Sequence, residues 1–174
     1  MTNKLSHITI ATHSDVTGLN HLINGAYRGE SSKAGWTNEA DLFEGSRTNE
    51  SELLKLMDEP DTTFLKYLDE GEIAGCVMLQ KKNSFIYLGM LTVDPLRQGK
   101  GIGKQLLLAS DEFSRVNNLG KILLTVLSVR TELIEWYIRN GYSDTGKRKP
   151  FKPLSEAFGV PKIELELMYM EKGV

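Results

Sequence analysis

A single α/β domain with a mixed central sheet is the fold class this chain predicts. Three observations carry it. Short apolar, β-branched runs alternate with segments of helical period along the whole chain. A glycine-rich stretch, RQGKGIG at residues 97–103, joins one such strand to one such helix. No linker-like composition divides the 174 residues, so one domain is expected over 1–174.

The elements follow in order. Residues 7–11, HITIA, alternate and are β-branched, which predicts a strand. Asp15 reads as the N-cap of a helix with Val16, Leu19, Leu22, Ile23, Ala26 and Tyr27 at helical spacing. Residues 28–38, RGESSKAGWTN, are polar and read as a loop. A second helical region is expected over 39–57, broken near 45–48. Residues 63–68 and 72–80 flank Asp69-Glu70-Gly71, a turn signal, and predict a hairpin. Residues 85–93 form a third long strand, stopped at Asp94-Pro95 because proline cannot donate to a sheet ladder.

After the glycines, Ile102, Leu106, Ala109, Phe113 and Val116 share one helical face, and Gly120 ends that helix. Residues 121–129, KILLTVLSV, suit a strand covered on both faces. Residues 131–140 are helical, closed by Gly141. Residues 142–145 and 163–170 are the last strands, and 146–161, with three prolines, reads as an irregular excursion. The order is β-α-α-β-β-β-α-β-α-β-β.

Composition narrows the function. The net charge of −2 gives no global basic field, so no nucleic-acid partner is expected. Cys76 is the only cysteine, which excludes an intrachain disulfide and a cysteine-based metal site. His7, His13 and His21 lack metal-ligand spacing on one face, so no metal is expected. No apolar run approaches the roughly 20 residues of a membrane helix, and MTNKLSHITI lacks the pattern of a signal peptide. A cytoplasmic protein with no membrane partner is the expectation.

A strand feeding a helix through glycines is a common phosphate site. The first N–H groups of a helix have no intrahelical partner, and the macrodipole places about +0.5 charge there. RQGKGIG fits neither of two familiar nucleotide motifs. A P-loop needs glycine where Gln98 stands and Ser or Thr where Gln105 stands. A Rossmann fingerprint needs glycine at Lys104 or at Leu106. A tight turn without a ligand is the alternative, although two glycines would suffice for that, and Arg97, Lys100 and Lys104 add positive charge.

The pattern that does fit is Q/R-x-x-G-x-G/A, over Gln98, Gly99, Lys100, Gly101, Ile102 and Gly103. LTVDP precedes it, the helix KQLLLAS follows, and WYIRNGY comes later with Trp136-Tyr137 and Gly141-Tyr142. In these features the chain resembles the GNAT superfamily of N-acetyltransferases, most specifically over residues 86–142. The resemblance implies a GNAT-like mixed sheet of about seven strands flanked by about four helices.

The resemblance also implies acetyl-CoA as co-substrate, with its pyrophosphate on Gln98, Gly99, Lys100, Gly101, Ile102, Gly103 and Lys104. The strand of residues 85–93 is expected to splay from 121–129, with the pantetheine arm against backbone groups of Leu91, Thr92 and Val93. Tyr137 matches the position that protonates the leaving thiolate, and a core aromatic is its other reading. Arg130 stands where members often carry Asn, and it is expected to touch a phosphate or the pantetheine, or else to be solvated. Tyr87 stands where many members carry a strand Glu as general base. Deprotonation is then expected through water or through a residue of another element, with Asp94, Glu30 and Glu72 as candidates that read more readily as ordinary surface or turn acids.

Tyr27, Arg28, Glu30, Trp36 and Tyr87 are the expected acceptor-side residues. Cys76 reads as a buried small residue. Lys147, Arg148, Lys149 and Lys152 read as a solvated loop, or else as a contact for an acidic substrate or a partner. The implied activity is direct acetyl transfer to a small-molecule amine. Transfer of a longer acyl group, and a non-catalytic acyl-CoA-binding or sensing module, are the alternatives. A homodimer is also an expectation, because many members pair.

Overall fold

The computed structural model describes residues 7–153 and 158–174. The strands are β1 (Ile8–Ile10), β2 (Phe43–Glu44), β3 (Thr62–Asp69), β4 (Glu72–Lys81), β5 (Ile86–Val93), β6 (Lys121–Leu127), β7 (Ser143–Pro150), β8 (Val160–Pro161) and β9 (Glu166–Gly173). The α-helices are α1 (Val16–Tyr27), α2 (Glu50–Asp58), α3 (Ile102–Val116) and α4 (Thr131–Arg139). Seven strands form one sheet in the order β1-β3-β4-β5-β6-β9-β7, and β2 pairs with β8 in a separate two-stranded sheet. All sheet neighbours are antiparallel except β5 and β6, which are parallel.

The pleat sorts the core onto two faces. Phe64, Cys76 and Met78 point to the side of α1 and α2, where they pack with Leu19, Leu22, Ile23 and Leu53. Leu65, Val77, Leu79, Ile86 and Leu88 point to the other side, against Ile102, Leu106 and Leu107 of α3 and Tyr137 of α4. Strand β4 is thus covered on both faces, which is why IAGCVML shows no polar alternation. Leu106 has no exposed surface, and truncating such a residue to Ala costs about 2–5 kcal/mol.

The hairpin of β3 and β4 turns at Glu70 (φ 52°) and Gly71 (φ 82°), as the Asp-Glu-Gly signal predicts. Other expectations need correction. The helix expected over 39–57 forms only at Glu50–Asp58, where the Asn49 side chain accepts a 2.8 Å bond from the N–H of Glu52. Upstream, Phe43 is buried against Leu127 and Leu165 instead, and Gly45 at φ 94° ends β2. Asp15 stands at the N-cap position of α1, as expected, but its side chain makes no capping bond there. Its carboxylate accepts from the N–H of Thr12 at 2.8 Å and pairs with Lys66 at 2.7 Å.

The loop of residues 28–38 contains a 3₁₀ turn, Glu30–Ala34. Strand β7 extends to Pro150, well into the expected excursion, with a register shift between Asp144 and Arg148 where Gly146 takes φ 83°. All of β7 is exposed, so no apolar alternation marked it. The basic residues Lys147, Arg148 and Lys149 therefore lie on an edge strand, and Arg148 pairs with Asp144 at 2.7 Å. Residues 154–157 of that excursion lie outside the described residues.

Candidate active site

The two parallel strands part. β5 and β6 pair only at Ile86–Ile122, Tyr87–Leu123 and Leu88–Leu124. The cause lies on the other edge of β5. Register against β4 shifts between Cys76 and Met78, so Val77 faces both Met90 and Leu91. This is a β-bulge, which bends the bulged strand. Met90 takes φ 51°, a conformation that costs a non-glycine residue about 1 kcal/mol or more. The carbonyl of Met90 accepts from Thr92 Oγ1 at 2.8 Å and from Cys76 Sγ at 3.7 Å, which holds the bulge in place. Beyond Leu88 the β6-facing backbone groups of β5 have no partner strand.

One cleft of about 500 Å³ opens beside this gap. Leu91, Thr92 and Val93 form one wall, and Gln98, Gly99, Gly101, Ile102, Gly103 and Lys104 form another. Gly99 and Gly101 take φ 82° and 80°, and Gly101 is the N-cap of α3. The first N–H groups of α3 therefore face the cleft with no side chain over them. A Cβ on Gly103 would lie 3.2 Å from the Trp136 ring, so glycine there lets α4 pack on the first turn of α3. Lys104 and Arg139 bring positive charge to the lining, whereas Lys100 is exposed and outside it. Arg97 is committed elsewhere. Its guanidinium bonds to the carbonyl of Asp69 at 3.0 Å and pairs with Glu72 at 2.5 Å and Asp94 at 3.5 Å, so it adds no free charge to the loop.

A second cleft of about 350 Å³ lies on the side of α1 and α2. Tyr87, Gly89 and Met78 floor it, and Phe43, Phe151 and Phe158 contribute to its roof. Tyr27, Leu91, Arg130, Leu133 and Tyr137 line both clefts, so the two meet through the gap in the sheet. Tyr27 donates from its hydroxyl to the Leu91 carbonyl at 2.9 Å. Tyr137 is buried, edge-on to Trp136 at 5.2 Å and to Tyr142 at 5.5 Å. Burial first, then the neighbouring Tyr27 and Tyr142, pushes its phenol well above the usual tyrosine range. Tyr137 is therefore neutral and a potential proton donor at neutral pH.

A charge network sits where the clefts meet. Arg130, only 6% exposed, donates to Glu39 Oε1 at 3.2 Å and to Thr37 Oγ1 at 2.7 Å. Arg28 Nε donates to Glu39 Oε2 at 3.3 Å. Both oxygens of this buried carboxylate are thus occupied by guanidinium groups. Arg28 also bonds to the carbonyls of Ser46 and Phe158 and stacks 3.8 Å over the Phe43 ring. Arg130 Nε has no hydrogen-bond partner among the described residues. The Tyr87 hydroxyl reaches Thr125 Oγ1 at 3.1 Å, spanning β5 and β6.

The expected acceptor-side residues separate. Tyr27, Arg28 and Tyr87 line the second cleft. Trp36 lines the first instead, where its backbone N–H donates to Gln98 Oε1 at 2.9 Å. Glu30 is exposed, pairs with Lys33 at 3.2 Å and lines neither cleft. Asp94 caps the Pro95–Arg97 turn, so with Glu72 it serves Arg97 rather than a cleft. Arg130 is neither solvated nor free, because Glu39 and Thr37 hold it. Glu39, Arg47, Glu52 and Arg139 were not expected at the site. They sit on irregular segments or helix ends, and no motif marks them. Among the described residues no group of three or more His, Cys, Asp or Glu could hold a metal, and no helix is long and apolar enough to cross a membrane.

A parted parallel pair, a glycine-opened helix beside it and two clefts meeting through the gap define a coenzyme-dependent acyltransferase architecture. Residues 26–142 match the Acetyltransferase (GNAT) family, and the chain belongs to that family of acetyltransferases, whose acyl donor is acetyl-CoA. An IAA acetyltransferase of Azospirillum brasilense is 26% identical over 102 residues, covering 58% of this chain and 67% of that protein. The ribosomal-protein-S18-alanine N-acetyltransferase of Escherichia coli superposes with a TM-score of 0.71 at 15% identity, over 96% of this chain and 92% of that one. A putative streptothricin acetyltransferase of Bacillus anthracis, in complex with acetyl coenzyme A, superposes at 0.59 with 19% identity, over 70% and 67%.

Proposed function

We propose that the chain transfers an acetyl group from acetyl-CoA directly to the amine of a small molecule held in the second cleft. The observation that carries this is the meeting of the two clefts at Tyr27, Leu91, Arg130, Leu133 and Tyr137. A donor in one cleft and an acceptor in the other would react through the gap, with the orientation already set.

The free N–H groups of α3 and the cations Lys104 and Arg139 suit the coenzyme's pyrophosphate. The stretch Leu91, Thr92 and Val93, which has no β6 partner, suits its pantetheine arm and, at a backbone N–H, the thioester oxygen as charge develops there. The attacking nitrogen forms its bond to the acyl carbon as the C–S bond breaks. Tyr137 gives its phenolic proton to the leaving thiolate, and the proton lost by the amine restores it through solvent.

Glu39 is a poor acceptor for the amine's proton, because both oxygens already receive N–H groups. Glu52 lines the same cleft with no ion-pair partner among the described residues, and we assign it to attract the ammonium. A covalent acyl-enzyme is unsupported: Cys76 has no exposed surface and lines neither cleft. The roof of Phe43, Phe151 and Phe158 favours a compact acceptor over a long chain.

Calorimetric titration with acetyl-CoA, followed by turnover of an amine panel, tests this reading. Micromolar, CoA-selective binding with turnover is expected. Binding with no turnover across the panel would point to an acyl-CoA sensing module. Equal rates with propionyl- and acetyl-CoA would point to a wider acyl range.

A further inference from the structure

The acceptor cleft holds more positive than negative charge. Arg28, Arg47, Arg130 and Lys152 line it, against Glu39 and Glu52. Glu39 is already shared by Arg28 and Arg130. Arg47 stands apart from that network. It is half-buried, its guanidinium lies 5.5 Å from the centre of the Tyr27 ring, and it makes no ion pair among the described residues. Its position is fixed from behind, because the N–H groups of Arg47 and Thr48 both donate to Asn24 Oδ1 of α1, at 2.8 and 3.2 Å.

A half-buried guanidinium without an anion is costly, more so beside two others. Its planar fork matches a carboxylate or phosphate with two parallel hydrogen bonds. We propose that the acceptor amine also carries an oxyanion, a carboxylate or a phosphate, and that Arg47 receives it. Glu52, unpaired among the described residues, lines the same cleft and suits the ammonium. A zwitterionic amine then satisfies both free charges at once. Tyr27 links this end of the cleft to the reaction centre, since its ring lies beneath Arg47 and its hydroxyl holds Leu91.

This inference rests on the second cleft being the acceptor site, and its test is kept separate from turnover. CoA-saturated protein is titrated calorimetrically with matched pairs: amino acids against their primary amides, and O-phosphoethanolamine against ethanolamine. The oxyanion-bearing member of a pair should bind about tenfold tighter or more, the scale of a charge-assisted hydrogen bond. Whichever pair discriminates more identifies the oxyanion. Arg47→Gln should erase the preference, and Arg47→Lys should keep part of it, with acetyl-CoA affinity reporting that each variant is folded. Equal affinity within both pairs, no detectable binding of any oxyanion-bearing member at millimolar concentration, or a preference that survives Arg47→Gln would overturn the inference. If CoA itself fails to bind, the proposed function falls, and the same titrations on unloaded protein still decide the role of Arg47.

Discussion

The hydroxyl of Tyr27 donates a 2.9 Å hydrogen bond to the carbonyl of Leu91, joining the last residue of α1 to the bulge that bends β5 from β6. The carbonyl would otherwise face the gap with no strand partner. The bond therefore fixes the one stretch of backbone on which both clefts depend. Tyr27→Phe should keep the ring and lose the bond. We expect a stability loss of about 1 kcal/mol by thermal denaturation and a larger proportional loss in kcat/KM. An unchanged kcat/KM would mean the bulge holds its shape without Tyr27.

Tyr137→Phe should lower kcat by roughly 10²-fold or more, with little change in acetyl-CoA affinity, the pattern of a lost general acid. The pH dependence follows from the raised phenol pKa. Burial keeps Tyr137 protonated to well above pH 10, so its ionisation cannot depress the rate below about pH 10. The wild-type rate should rise with pH as the amine loses its proton, and show no alkaline fall before that point. A fall between pH 8 and 9 would assign the acid to another group.

Gly101→Glu should abolish acetyl-CoA binding, because it places a carboxylate at the N-terminus of α3. A Cβ there meets nothing within 4 Å, so bulk alone is tolerated and the strain comes from φ 80°. Gly101→Ala isolates that strain, about 1–2 kcal/mol, and should weaken binding far less than Glu. Equal effects of the two, read by calorimetry, would assign the loop a purely conformational role.

Glu39→Gln should be among the most damaging substitutions at the site for stability. It leaves Arg28 and Arg130 without their shared anion, and removing one partner of a buried pair typically costs about 3–5 kcal/mol. Thermal or denaturant unfolding reads this directly. A loss under about 1 kcal/mol would mean that the carbonyls bonded to Arg28 and the hydroxyl of Thr37 suffice to hold the network.

Much of this fold was legible in the sequence because one physical signal dominated each element. Phe64, Leu65, Val77 and Leu79 lie in apolar runs that flank the Asp69-Glu70-Gly71 turn signal, and Gly71 and Gly101 mark turns that need positive φ. The splay was expected only through resemblance. Its local cause, a bulge at Met90, leaves no trace in a run as ordinary as YLGMLTV. Glu39, Arg47 and Glu52 were illegible for a different reason. Glu39 gains its role from Arg130, far along the chain, and Arg47 and Glu52 gain theirs only from the cleft that the fold assembles around them. The extension of β7 beyond Thr145 is illegible because an exposed edge strand buries nothing and so carries no apolar period.

Cys76 provides a test of the core that is independent of catalysis. Its thiol has no exposed surface, and burial pushes its pKa from 9.0 up to about 12, partly offset by Thr92. The folded state therefore keeps a proton that the unfolded chain loses. The sign is fixed: this contribution to stability is complete below pH 9 and is lost progressively as pH rises from 9 towards 12. Tyr27, Tyr137 and Tyr142 are raised in the same direction, mainly by burial, and add to the alkaline loss above pH 10. Cys76→Ala should be less stable at neutral pH, for lost packing, yet its melting temperature should fall less steeply than wild type between pH 9 and 11. The tyrosines are common to both proteins, so the difference in slope isolates the thiol. Parallel slopes, or rapid alkylation of the native thiol at pH 8, would show that Cys76 reaches solvent and that the bulge beside it opens.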